Sequence, residues 1–477
     1  MSCLSGSAFA TVPDRYGLGA RWQGRGGGSV ALVDDGTAAF VNPAGLAAAD
    51  AGQVSLGLLG ASPRVEAVPA VWWDTNRDGV VDERDPPLLV DPTPPGVFGL
   101  DLAVLGRLGD RAALGATVWL PTAAIVRFQT FEPDLPSYAR WGNRTQRANV
   151  AFGLGIDTVG GLQLGASLDM GVKARATVRL TLDATARPGG TGTGTSAGID
   201  GDLVYDVHQI DLSVVPTAAP VVGLRWEVGE AIPALDGLAL GARYHAPTGM
   251  PLDVVIDAQA NVGVEELADD PYVAALVGVS ELSLFDHDVP QRLDLGAGLD
   301  RGLLAVHLDA RWTDWRAYRL SIARVVDAEL TAPLVDLGDV VLDGNEVAYE
   351  VRATWDLRGG VEVRLPEVPA GARWRFVQGA LRAGAAYDPT PLVSVGSSAI
   401  LDSDHRVLTA GVGLSTGQPF DPEGVLSLDL SAQHHGLARG VLPRTSASPR
   451  AGYPVQGSGV PFGGGWWAVG GQLSVAY

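Results

Sequence analysis

Twelve consecutive residues, Asp74-Thr75-Asn76-Arg77-Asp78-Gly79-Val80-Val81-Asp82-Glu83-Arg84-Asp85, place oxygen donors at the spacing of a calcium loop. Asp74, Asn76, Asp78, the Val80 carbonyl, Asp82 through a water and Asp85 would supply the oxygens, and Gly79 the sharp turn. Asp85 stands where helix-flanked loops carry Glu, so a bidentate twelfth ligand has less reach. Pro86-Pro87 follows where a helix would. The same residues also read as a solvated acidic turn. The expectation is a structural Ca2+ that stiffens a long connection.

A second group is cationic. Lys173, Arg175 and Arg179 occupy alternate positions and therefore share a face if the chain is extended there. A cation in a partly desolvated site holds a carboxylate by charge-assisted hydrogen bonds. These three are candidate ligand-binding residues; the alternative is that they pair with Asp169, Asp294, Asp309 or Asp429. No enzyme signature is present. His434-His435 lacks a third ligand at metal spacing, no nucleophile elbow occurs, and the Gly runs do not open phosphate-binding helices.

The element that must carry the cations is Leu162 to Leu182, LQLGASLDMGVKARATVRLTL, in which every second residue from Leu162 onward is apolar. Gln163, Ser167, Asp169, Lys173, Arg175, Thr177, Arg179 and Thr181 fall on the other face. Strands of soluble sheets usually stop after about 5–6 residues. A strand crossing a bilayer needs about 9–11, apolar toward lipid and polar toward the lumen, and continues beyond the membrane at will. The pattern predicts a transmembrane barrel strand; a long half-buried strand of a soluble sheet is the competing reading.

The same alternation recurs. Candidate strands lie near 53–62, 96–107, 112–122, 147–157, 162–182, 206–227, 237–247, 289–299, 303–316, 346–364, 375–388, 405–415, 425–435 and 466–477. Short turns such as Gly109-Asp110, Gly160-Gly161 and Asp300-Arg301-Gly302 alternate with long connections over 67–95, 183–205 and 248–288, as periplasmic turns and outer loops do in bacterial barrels. Within 248–288, Leu267, Val273, Leu276 and Val277 have a loosely helical spacing interrupted by Pro271. The chain ends on an alternating strand whose last residue is the aromatic Tyr477, the form of terminal signal that barrel-assembly machinery recognises.

Composition agrees. The 477 residues are 46% hydrophobic, with 63 Gly and one Cys, and no run of about 18 apolar residues exists, so any membrane crossing is by strands. A net charge of -20 argues against nucleic-acid binding. Cys3 alone excludes an intramolecular disulfide. Ala8-Phe9-Ala10 has the small-x-small form of a signal cleavage site, so residues 1–10 read as the remnant of a signal peptide or as an ordinary N-terminus.

Residues 11–50 are too irregular and too rich in Gly and Ala for paired strands. The Gly run between Arg25 and Ser29 permits close backbone approach. Asn42-Pro43-Ala44-Gly45 reads as a tight turn: Asn-Pro initiates it, Pro43 fixes its own φ, and Gly45 can take a positive φ. In order and spacing, Gly19 to Ala47 resembles the N-terminal hatch of the long-chain fatty-acid transporter (FadL) family of outer-membrane barrels. Leu240 to Pro247, Asp309 to Trp315 and Leu381 to Pro391 resemble that family's strands.

The resemblance implies an all-β fold: an antiparallel barrel of about fourteen strands over 51–477, plugged by a hatch over 11–50, monomeric and folded in outer-membrane lipid. It further implies passive uptake of a hydrophobic ligand, long-chain fatty acids or hydrocarbons. The ligand would be captured at the outer loops and passed to an apolar pocket. The hatch would move near Asn42-Pro43-Ala44, and the ligand would leave sideways through the wall. A scaffold or shuttle barrel for secreted proteins fits the same resemblance.

Overall fold

The computed structural model describes residues 12–68, 71–73, 87–88, 91, 93–94, 96–122, 136–138, 141, 148–186, 203–264, 272–317, 324–331, 350–370, 375–393, 400–417, 424–442, 451–452 and 460–477. Fourteen of its strands form one closed antiparallel ring. In chain order they are β1 Gln53–Ala61, β2 Val97–Arg107, β3 Ala112–Pro121, β4 Asn149–Asp157, β5 Leu162–Ala186, β6 Leu203–Glu227 and β7 Leu238–His245. The second half is β8 Arg292–Arg301, β9 Leu304–Thr313, β10 Thr354–Arg364, β11 Phe376–Asp388, β12 His405–Gly417, β13 Val425–Leu442 and β14 Val460–Ala476. Each pairs with the next, and β1 closes on β14 from Gln53↔Ala476 to Ala61↔Ala468.

The strands form because their side chains alternate, but the sense is inverted relative to a soluble protein. In β5, Leu164 and Leu168 are 45% and 49% exposed, while Gln163 and Asp169 on the opposite face are 5% and 7% exposed. In β13, Leu428 and Leu430 face out while Asp429, Ser431 and Gln433 are buried inside. Apolar area left in water is unfavourable by about 25 cal/mol per Å². A closed ring wearing such a belt leaves no strand edge and belongs in lipid, the design of outer-membrane barrels.

Tight turns join the strands at the end where Tyr477 lies. Gly109 and Gly302 take φ of 72° and 61° there, which a residue with a Cβ would resist. In outer-membrane barrels the short-turn end is periplasmic and the long connections face outward.

All fourteen expected strands are present, with seven boundaries displaced by three residues or more. β5 runs on to Ala186 and β13 to Leu442, β9 stops at Thr313, β6 starts at Leu203, β8 at Arg292, β10 at Thr354 and β14 at Val460. The connection over 248–288 departs from expectation in kind. Its loosely helical spacing does not decide its structure: Thr248–Val264 and Tyr272–Val289 pair as an antiparallel hairpin. Leu252, Val254 and Ile256 already alternate with Asp253, Val255 and Asp257, and β-branched residues suit the pleat. This hairpin extends the sheet beyond the wall by pairing in parallel with β5 from Leu252↔Ala174 to Val264↔Ala186.

Residues 74–85 and 187–202 lie outside the described residues. The backbone on either side of the former is described: Val71–Trp73 pairs antiparallel with Pro87–Leu88, holding the two ends of that stretch side by side.

Candidate functional site

Residues 12–50 fill the lumen. Trp22, Leu46 and Phe40 are buried in a cluster with inward residues of the wall such as Trp119 and Leu105. The segment holds itself together through Asp35, whose Oδ2 accepts from Trp22 Nε1 at 2.7 Å and whose Oδ1 accepts from the Thr37 amide at 2.9 Å. Burial, reinforced by neighbouring Asp34, holds the Asp35 carboxyl above the usual aspartate range. Burial likewise pushes the Tyr16 hydroxyl up to about 12.

The hatch winds around the inside of the ring in a groove cut by glycines. A Cβ on Gly411 of β12 would stand 3.1 Å from Gly24 Cα, and one on Gly384 of β11 or Gly360 of β10 would overlap the backbone at Arg25 and Gly26. Gly241 of β7 faces Val30, Gly165 of β5 faces Pro43-Ala44, and a Cβ on Gly155 of β4 would stand 2.7 Å from Ala47 N. The hatch therefore touches the wall in sequence, and it lies too close for any inward side chain at these positions.

Asn42 fixes the far half of the hatch. Its Nδ2 donates to Val30 O at 2.7 Å and Leu224 O at 3.1 Å, and its Oδ1 accepts from Ala44 N at 3.2 Å. Pro43–Ala48 forms a short 3-10 helix from this cap. Gly45 does not use its freedom to take a positive φ. Space is the reason for a glycine, since a Cβ there would overlap the Val33 carbonyl oxygen.

On the outer side, between the first hatch helix, Val12–Tyr16, and the outer ends of β8 to β12, lies a cleft of about 640 Å³, including space open to solvent. Arg292, Arg311, Arg358, Asp356, Asp388 and His405 line it, with Trp315 and Tyr387 as its aromatic members. A smaller inner cavity of about 20 Å³, room for one water molecule, shares Arg311 and Arg358 with it and reaches hatch residues Val30, Phe40 and Val41. Arg292 pairs with Asp14, and Arg311 pairs with Asp294. Arg243 Nη1 lies 3.2 Å from Asp294 Oδ2. Nε and Nη2 of Arg292 and of Arg243 have no hydrogen-bond partner among the described residues. The lumen thus combines a charge-compensated lattice that has arginine donors to spare with the buried apolar cluster around Trp22, Phe40 and Leu46. Its inward positions are the polar half of each alternating strand.

The sequence-predicted cations stand elsewhere. The β4–β5 ladder ends at Val150↔Met170, and above it β5 is flanked by the hairpin, which brings Arg175 level with Asp253 and Arg179 level with Asp257. Lys173 pairs in register with Val215 of β6. All three are on the outward extension, and their side chains lie outside the described residues. Of the acids considered as their counter-charges, Asp294 and Asp429 hold Arg311 and Arg382, Asp169 holds His245, and Asp309 accepts from Val30 N. The calcium ligands Asp74, Asn76, Asp78, Val80, Asp82 and Asp85 fall outside the described residues.

The likeness to solved barrels spans the chain. A crystal structure of a Pseudomonas aeruginosa FadL homologue superposes with a TM-score of 0.55 at 16% identity, covering 99% of this chain and 99% of that one. The fold is that of a FadL homologue. The toluene transporter TbuX of Ralstonia pickettii matches at TM-score 0.49 and 16% identity, covering 98% of this chain and 100% of that one. The P. putida toluene transporter TodX matches at 0.48 and 14%, covering 97% and 99%. No family model and no curated protein matches the chain. The chain shares that fold: fourteen strands closed into a barrel around residues 12–50.

Proposed function

We propose that this barrel is a channel for passive uptake of hydrophobic molecules that carry a polar end, with long-chain fatty acids the leading class and hydrocarbons next. The observation that carries the reading is the pairing of an arginine-rich outer cleft with an inner cavity reaching Val30, Phe40 and Val41 of the hatch. A carboxylate is held by Arg292, Arg311 and Arg358, while its apolar tail follows the hatch residues inward. Lys173, Arg175 and Arg179, on the outward extension, act in capture before the cleft.

The ligand then leaves sideways. The axial way out is obstructed by the hatch, and the space beyond it at the short-turn end is lined by Arg364, Gln378, Ser415, Asp429 and Gln472. Carrying an apolar chain through that polar space forfeits about 25 cal/mol for every Å² rewetted. A step through the wall into lipid avoids the loss. No energy source enters the reading. Calcium held by residues 74–85 would stiffen the first outer connection.

The test is mass spectrometry of organic extracts from the folded, detergent-purified barrel against a mock extract of the same membranes. Enrichment of a fatty acid or hydrocarbon supports uptake and names its class. Absence of any enriched lipid from a heat-modifiable barrel overturns it.

A further inference from the structure

One side-chain amide of the wall holds two backbone carbonyls at the start of the hatch. Gln433 of β13 donates from Nε2 to Tyr16 O at 2.8 Å and to Gln23 O at 3.0 Å. Both partners are carbonyl oxygens, so the nitrogen of the amide must face the hatch and Oε1 must face away. Oε1 lies 3.0 Å from His435 Nε2, which must then carry a proton. In the neutral ring this leaves His435 Nδ1 as an acceptor, and His405 Nε2 at 3.0 Å must donate to it. The two hatch carbonyls thus dictate the direction of every bond out to His405, a residue of the polar cleft whose Nδ1 faces Asp388 at 3.9 Å.

We propose that Gln433, His435 and His405 form an oriented hydrogen-bond relay through which the outer cleft controls the hold on the hatch. His405 fixes the tautomer of His435, His435 fixes the orientation of the Gln433 amide, and the amide holds Tyr16 and Gln23. If His435 carries its proton on Nδ1 instead, its Nε2 lone pair meets Gln433 Oε1. The amide then turns, and its oxygen faces the two hatch carbonyls it had held. His405 is therefore a positioning residue that acts on the hatch through His435 and Gln433.

The surroundings allow little else. The His405 and His435 rings lie nearly parallel at 5.1 Å, Trp466 stacks on His435 at 5.2 Å, and Trp141 meets His405 edge-on at 4.7 Å. Trp466 Nε1 also donates to the Tyr16 hydroxyl at 3.2 Å. With both rings clamped, the relay changes by moving protons or turning the amide rather than by swinging a side chain.

The relay serves the uptake reading, but its test needs no substrate, so either can fail without the other. In the folded full-length barrel, 15N-labelled histidine should report His405 and His435 as Nε2-protonated neutral rings. Hydrogen exchange of hatch amides over 16–26 should rise about tenfold in His405→Phe, which keeps an aromatic ring in the stack but removes the donor. His405→Gln, which restores a donor, should return exchange toward the parent value. Gln433→Leu should match His405→Phe, and the double variant should add nothing further, because both break one chain. An Nδ1-protonated His435 in the parent barrel, unchanged hatch exchange in His405→Phe, no rescue by Gln, or additive effects would each overturn the relay.

Discussion

Asn42 of the hatch occupies the space that a side chain on Gly223 of β6 would need, for a Cβ there would overlap Asn42 Oδ1. The wall residue is absent so that the hatch residue can reach past it to Leu224 O. Gly223→Ala should therefore leave the barrel assembled but loosen the hatch, by about 1–3 kcal/mol as overpacking does. Limited proteolysis within 17–48 of the folded barrel should become faster, with heat modifiability unchanged. Equal proteolysis in both proteins would show that the hatch has room to shift.

In the proposed channel, Arg358 would discriminate charged from uncharged ligands. It donates to Asp14 O at 3.0 Å and lines both the outer cleft and the inner cavity. Arg358→Gln keeps a donor and removes the charge. Binding of a long-chain acid should weaken about tenfold, or about 1.4 kcal/mol. Binding of the alcohol of the same length should change less than threefold. A parallel loss for both would mean that Arg358 shapes the cavity without recognising charge.

The hatch should respond to pH through Asp35. Its folded-state carboxyl titrates above the ordinary aspartate value because burial, with Asp34 beside it, disfavours the anion. A raised carboxyl favours the fold while it is protonated, and that contribution disappears as pH rises from the unfolded aspartate value through the folded one. Hatch protection measured by hydrogen exchange should thus decline with rising pH across that window. Asp35→Asn keeps an acceptor for only one of Trp22 and the Thr37 amide, so it should lower hatch protection at every pH, but without a titrating group the profile should be flat. A profile that is already flat in the parent protein would assign the hydrogen bonds to a fully ionised Asp35.

Much of the architecture was legible because alternation is a local property. Leu164 and Gln163 declare opposite faces without reference to any other strand, and fourteen such segments ending in turns leave few alternatives to a barrel. The lumen chemistry was not legible for the opposite reason. Asp14 meets Arg292, and Gln23 meets Gln433, only after the ring has closed around the hatch.

One signal was available and was missed. Glycines such as Gly165, Gly223 and Gly384 recur on the inward face of strands, where a glycine weakens the strand and marks close backbone approach. They trace the path of the hatch. The hairpin over 248–289 was not read from the sequence because the spacing was taken over Leu267, Val273, Leu276 and Val277, of which Leu267 lies outside the described residues and the other three belong to the second strand alone.

The calcium loop can be decided by titration. Val71–Trp73 and Pro87–Leu88 hold the ends of 74–85 together, which lowers the entropy lost when the twelve residues wrap an ion. Asp85 in the final ligand position weakens the site relative to a loop ending in Glu, and extracellular calcium modules bind at about 10⁻⁴–10⁻³ M. Calorimetry of the folded barrel should therefore show calcium heat in the submillimolar to millimolar range, at one site per chain. Asp78→Asn, which removes one charge from the middle of the ligand set, should weaken it severalfold without changing heat modifiability. If no heat appears at millimolar calcium, the carboxylates are a solvated acidic turn, and the paired strands alone hold the connection.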